Sequence, residues 1–311
     1  MRADELIDQV TDDLIAAIEA GAETWQMPWH TIAATTTPTS IDQRPYRGLN
    51  AVVLALTAAE RGWTSGTWGT YAGWQRHGAQ VRRGERATHV LLWKPSQPGA
   101  ETTTDDTEHE SQEGAARRGR LVSRVFAVFA AEQVDGAPSA ATEPADNRDA
   151  PEHVEAADIY FAAIGADIVT GGNQAYYSPT YDRIHIPHLA QFDEPSLYYS
   201  TLCHEHVHRT GHPARLDRNL TGRFGDDAYA IEELIAELGA AFWCAQANLS
   251  PAARHDHANY LGHWVRVLRE HPRVLLTVAS RAQAALDHLN QSAGLTASHA
   301  ETESHEQAVS V

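Results

Sequence analysis

Two rhythms of apolar and polar positions run along the chain. Leu6, Ile7, Val10, Leu14, Ala17 and Ile18 recur at three- and four-residue intervals, which predicts an amphipathic helix near the start. Leu49 to Glu60 predicts a second helix, stopped by Gly62. Strand-like apolar runs follow at Thr88–Lys94 and Leu121–Phe129. Tyr176 to Pro187 reads as a hairpin turning around Pro179–Asp182. Beyond it, Asp193 offers an N-cap, Pro195 suits a first turn, and Leu197 to Thr210 reads as helix up to Gly211. Ala228–Cys244 predicts a further helix, with Ile231, Leu234, Ile235, Leu238 and Phe242 on one stripe.

Polar stretches divide these elements. Residues 97–118 carry six acidic side chains, no aromatic and no periodicity, the mark of a solvated insertion. A long loop adds little closure entropy, so the strands on either side of it can form one hairpin. Gly136 to Ala150 reads as a flexible linker and residues 291–311 as a disordered tail. The expected architecture is α+β, with an N-terminal α+β domain over 1–135 and a mainly helical domain with a small sheet over 151–290.

Composition narrows the setting. The length of 311 residues suits two domains, and no apolar run approaches a membrane span. The first helix is acidic, unlike a secretory signal, and two cysteines suit a reducing compartment, so a cytoplasmic protein is expected. The net charge of −17 argues against nucleic acid, but it is uneven. Residues 41–96 hold eight basic and three acidic side chains, and six of the eight tryptophans lie before residue 135. Arginine interleaved with exposed rings suits single-stranded DNA, because cations track phosphates and rings stack on bases for ~1–3 kcal/mol each. The candidates are Arg44, Tyr46, Arg47, Trp68, Trp74, Arg76, Arg82, Arg83 and Arg86. A core made of the same tryptophans, with the arginines as a solvated face, is the competing reading.

The chemistry lies further along. In His204-Glu205-His206-Val207-His208 the outer histidines are four apart, so on a helix they share a face and can share one ion. Glu205, offset by one position, can serve as general base beside a water activated by that ion. His212 is nearby, but the metzincin pattern requires a histidine where Ala214 stands. Glu233 and Glu237 share a face of the next helix; Glu233 as third ligand, with Glu237 on the free nitrogen of a ligating histidine, would complete a His₂Glu zinc site. Glu237 as the ligand is the alternative, and an ordinary solvated glutamate face is the bland one. Cys203 and Cys244 read as buried small residues, His206 as packing or surface. Tyr229, His255, His257, Tyr260 and His263 are open candidates for oxyanion stabilisation.

These residues fall into longer motifs. GAETWQMPW (21–29), YRGLN (46–50), WGTYAGWQ (68–75), GAQVRRGERAT (78–88) and VFAAEQVDG (128–136) lie in the first half. DRIHIP (182–187), LCHEHVHRTGH (202–212), RLDR (215–218) and EELIAELGAAF (232–242) lie in the second. In this order they resemble the ArdC antirestriction family of plasmids and phages over most of residues 1–290. The resemblance implies an N-terminal single-stranded-DNA-binding domain that shields incoming DNA from restriction, followed by a zincin-like metallopeptidase domain with an unidentified protein substrate. Two rival readings remain: a DNA-protecting module with a structural or vestigial zinc site, and a protease targeted to DNA-bound proteins.

Overall fold

The computed structural model describes residues 1–21, 37–95, 121–138, 149–220, 226–251 and 258–295. The whole acidic insertion, the centre of the expected linker at 139–148, and the tail from 296 onward lie outside them, as do Trp25 and Trp29.

Helix α1 (Ala3–Gly21) buries the predicted stripe Leu6, Ile7, Val10, Leu14 and Ile18. Helix α2 (Leu49–Arg61) ends at Gly62, whose φ of +66° is the left-handed cap that glycine adopts without strain. Strands β1 (Thr39–Ser40), β2 (Thr67–Gly69), β4 (Thr88–Pro95) and β5 (Leu121–Ala130) form one sheet in the order β1-β2-β5-β4. The β4–β5 pair is antiparallel from Thr88 opposite Val128 to Pro95 opposite Leu121, so the two runs do form one hairpin. Between these strands lie the short helix α3 (Tyr71–Arg76) and β3 (Gln80–Val81), which pairs with β6 (Val134–Asp135).

The second half begins with α4 (Pro151–Ile164). Strands β7 (Asp167–Thr170), β8 (Tyr176–Ser178) and β9 (Arg183–Ile186) form a small sheet in the order β7-β9-β8. The β8–β9 hairpin is the one expected, with Asp182 left-handed in its turn. Among the described residues four helices follow: α5 (Pro195–Thr210), α6 (Asp227–Ala247), α7 (Ala258–Glu270) and α8 (Val274–Ser292). The cap of α5 is Glu194 and not Asp193. Proline's fixed φ and missing N–H place Pro195 at the first helical position, which makes the residue before it the cap.

The apolar core does not divide at the expected 136–150 boundary. One apolar cluster contains Leu6, Leu14 and Val52 together with Tyr160, Trp243, Leu268 and Leu289. Polar contacts follow the same seam: Thr11 Oγ1 donates to Pro272 O at 3.2 Å, Arg269 pairs with Glu19 at 2.7 Å, and Arg273 pairs with Asp4 at 2.8 Å. Among the described residues, the two N-terminal sheets have small clusters of their own, around Trp68 and around Trp74. Helix α1 packs chiefly against α7, with α8 and β5 beside it.

Candidate metal centre and basic face

Helices α5 and α6 pack closely because α6 has glycine at the crossing. A Cβ on Gly239 would come within 2.8 Å of the Val207 side chain. That approach sets the glutamates of α6 against the histidines of α5. His204 Nε2 and His208 Nε2 lie 3.1 Å apart, Glu233 Oε2 is 3.6 Å from the first, and Glu233 Oε1 is 3.4 Å from the second. Ligand atoms about 2.1 Å from a tetrahedral ion stand roughly 3.4 Å from one another, so these separations fit one cation. Among the described residues, His204, His208 and Glu233 form such a group.

The outer nitrogens of both rings are also engaged. His204 Nδ1 lies 2.9 Å from Glu237 Oε1, the position expected of a residue that orients a ligand. His208 Nδ1 lies 3.3 Å from Glu232 Oε1, and Arg218 donates to Glu232 through Nε at 3.0 Å and Nη2 at 2.8 Å. By sequence alone Glu232 falls with an ordinary solvated face, and Arg218 has no role. Glu232 borders Glu233, and its helical position does not show which ring it reaches. Arg218 belongs to the RLDR motif between the two helices, the only signal pointing to it.

Burial makes this a high-field site. Glu205 is 2% exposed, and Glu232, Glu233 and Glu237 are all buried. Burial works against a charged His208, but Glu233 and Glu232 outweigh it and push its pKa up to about 10. Burial raises Glu233, yet the two imidazoles pull it well below the usual carboxylate range. Protons on the imidazoles and a dication therefore compete for one carboxylate field.

The other candidates separate cleanly. His206 is buried on the far side, 2.8 Å from Leu202 O and with its ring centroid 4.8 Å from that of Phe161, and burial lowers its pKa to about 4. Cys203 and Cys244 are buried and outside the ligand group; burial pushes the Cys203 thiol well up. His212 Nδ1 accepts from Ala214 N at 3.1 Å, and His263 faces Asp227 at 3.1 Å. Tyr229 is half-buried in the first turn of α6, whereas His255, His257 and the Tyr260 side chain lie outside the described residues.

The expected DNA-binding set divides. Trp68 and Trp74 are 1% and 0% exposed, so neither ring can stack on a base. Trp74 donates from Nε1 to Phe129 O at 3.0 Å, and Trp68 packs edge-on against Trp63 at 5.9 Å. The small sheets have few large apolar residues, and these two tryptophans fill their cores. Tyr46 is half-buried against the Trp68 cluster, and burial raises its pKa. Arg47 pairs with Asp287, and Arg82 is tied to Glu85 at 3.0 Å. Arg44, Arg76, Arg83 and Arg86 are exposed. Arg83 and Arg86 sit on a turn with Gly84 at φ +90°, and Gln133 Nε2 braces that turn from within through Glu85 at 3.1 Å and Arg86 O at 2.8 Å. Among the described residues Tyr71 offers an exposed ring, and its hydroxyl accepts from Gln80 at 2.8 Å.

Comparison with known proteins assigns both halves. Residues 4–129 match the N-terminal domain of the anti-restriction factor ArdC, and residues 155–281 match a zincin-like metallopeptidase. The protein y4eC of Sinorhizobium fredii is 42% identical over 294 residues, 93% of each chain. The DNA primase TraC of Escherichia coli is 35% identical over 90% of this chain, which spans 26% of that primase. The metal-free crystal structure of the antirestriction ArdC protein from plasmid R388 superposes with a TM-score of 0.74 at 38% identity, covering 93% of this chain and 97% of that one. Its Mn(II)-bound structure gives 0.71 at 36% identity over 92% and 97%. Matched in both halves and alike over nearly the whole length of a solved relative, the chain belongs to the ArdC antirestriction family.

Proposed function

We propose that this protein shields single-stranded DNA with its N-terminal basic face and carries a zinc-dependent peptidase centre at His204, His208 and Glu233. Acting in the cytoplasm, it would meet incoming DNA there together with a protein substrate of unidentified sequence. The observation that carries the peptidase reading is the double bracing of the ligand imidazoles. Glu237 and Glu232 face the two Nδ1 atoms, which favours a proton there and leaves both Nε2 atoms, beside Glu233, as the positions that would meet an ion.

A divalent cation held by these three residues supplies Lewis-acid polarisation of a carbonyl and a water of lowered pKa. Glu205 takes the proton from the attacking water and returns it to the leaving amine. A centre kept only for stability has no use for that carboxylate, which burial makes costly to retain. For DNA, Arg44, Arg76, Arg83 and Arg86 supply cations that no described residue pairs, and Tyr71 supplies an exposed ring.

Glu205→Gln in the full chain tests the two activities together. Peptidase activity should fall by roughly 10²–10⁴-fold with zinc retained, while DNA affinity and protection against restriction in cells stay unchanged. Protection lost with DNA affinity intact would make proteolysis the mechanism of antirestriction and overturn the shielding account.

A further inference from the structure

Arg218 lies between α5 and α6 and is 8% exposed. Each of its guanidinium nitrogens has a partner. Nε and Nη2 form a fork on Glu232 at 3.0 and 2.8 Å. Nη2 also reaches Val207 O at 2.6 Å, and Nη1 reaches Thr210 Oγ1 at 2.8 Å. Thr210 Oγ1 in turn donates to Val207 O at 2.6 Å. The carbonyls in the last turn of a helix lack intrahelical partners, so Arg218 ties down the end of α5 that carries His208. With the same side chain it holds the carboxylate of α6 that faces the Nδ1 of His208 at 3.3 Å.

This arrangement asks for arginine specifically. Burying a cation is costly unless its donors are satisfied, and only a planar fork can grip both oxygens of Glu232 while still reaching two groups at the end of α5. Glu232 Oε1 is shared between Arg218 and His208, so its position depends on both. Without the arginine, Glu232 would be a buried carboxylate free to turn toward the ion or away from the ring.

We propose that Arg218 is a positioning residue of the metal centre, acting through Glu232 to fix the ring of His208 and so the direction of its Nε2. The proposal rests on reading His204, His208 and Glu233 as a metal centre. The partners of the Arg218 side chain are Glu232, Thr210 and Val207, and not His204, His208 or Glu233, so its effect is carried by one carboxylate.

The test is a chelator-competition titration of metal-free full-length protein with Zn(II). It compares wild type, Arg218→Gln, Arg218→Lys, Glu232→Gln and the Arg218→Gln/Glu232→Gln double variant, with His204→Ala as the control for the site. Arg218→Gln and Glu232→Gln should each weaken Zn(II) binding by roughly 10–100-fold. Arg218→Lys should fall between Arg218→Gln and wild type, since an ammonium keeps the charge and loses the fork. The double variant should match the weaker single variant, because both substitutions remove the same interaction. Wild-type affinity in Arg218→Gln, or losses that multiply in the double variant, would overturn the proposal and leave the metal centre standing. If Arg218→Gln lacks helical circular dichroism, Arg218→Lys and Glu232→Gln decide, and wild-type affinity in either overturns the proposal. Zn(II) binding that survives His204→Ala overturns the metal-centre reading itself.

Discussion

Glu237 reaches His204 at the nitrogen that turns away from Glu233: Oε1 to Nδ1 is 2.9 Å, while Glu233 faces Nε2 at 3.6 Å. One imidazole thus lies between two glutamates four residues apart on α6, and the ring's two nitrogens assign them different roles. Glu233→Ala should empty the centre, whereas Glu237→Ala should weaken zinc binding by roughly 10–100-fold and leave it measurable at saturating metal. Elemental analysis after dialysis and a titration distinguish the two; a centre emptied by Glu237→Ala alone would reverse the roles.

At the exposed arginines of the N-terminal half, removing cations should act differently from removing rings. Arg83→Ala with Arg86→Ala should lower affinity for single strands and flatten its dependence on salt, by roughly 0.7 in slope for each phosphate left without its cation. Trp74→Ala should instead cost about 3–5 kcal/mol of stability, because that ring fills the core around Val81 and Val134. Fluorescence titrations at several salt concentrations, paired with urea melts, check both. An unchanged salt slope in the arginine variant would place the DNA elsewhere.

Residues 1–135 alone should not behave as a finished domain. Cutting the chain there uncovers Leu6, Ile7, Val10, Leu14 and Ile18 and removes the partners of Glu19 and Asp4. We expect a broad thermal transition and exposed apolar surface in this fragment, beside a cooperative transition in the full chain. A sharp melt with full DNA affinity in the fragment would show that the shared core is dispensable.

His206 gives the metal helix a pH dependence of its own. Its pKa in the folded chain is lowered to about 4 by burial, whereas the unfolded chain takes up the proton near 6.5. Between those values the unfolded state binds more protons, so stability falls as pH drops from 6.5 toward 4, by up to about 3 kcal/mol. Asparagine can still donate to Leu202 O but does not titrate in this range, so His206→Asn should show a shallower loss. Urea midpoints measured in chelator at pH 7, 6, 5 and 4 test this; parallel curves for the two proteins would remove His206 as the cause.

What the sequence determined by itself is what short-range geometry controls. The four-residue spacing of His204 and His208 puts both on one helical face wherever that helix packs. The cap at Gly62 and the hairpin through Asp182 rest on local conformational preference in the same way. That Glu233 and Glu237 could both face the histidine helix was legible at one remove, since a four-residue spacing on a second helix can meet a four-residue spacing on the first. Tertiary structure decided everything that depends on which faces meet. Tryptophans spaced among arginines look the same in sequence whether they stack on bases or fill a core, and only the small size of the two sheets sends Trp68 and Trp74 inward. The stripe of α1 states that something must cover it and not that α7 and α8, some 250 residues away, will do so. Arg218 and Glu232 came together across a loop whose path no periodicity encodes, because a buried fork is selected by the shape and charge of the space between two helices, which does not exist until they pack.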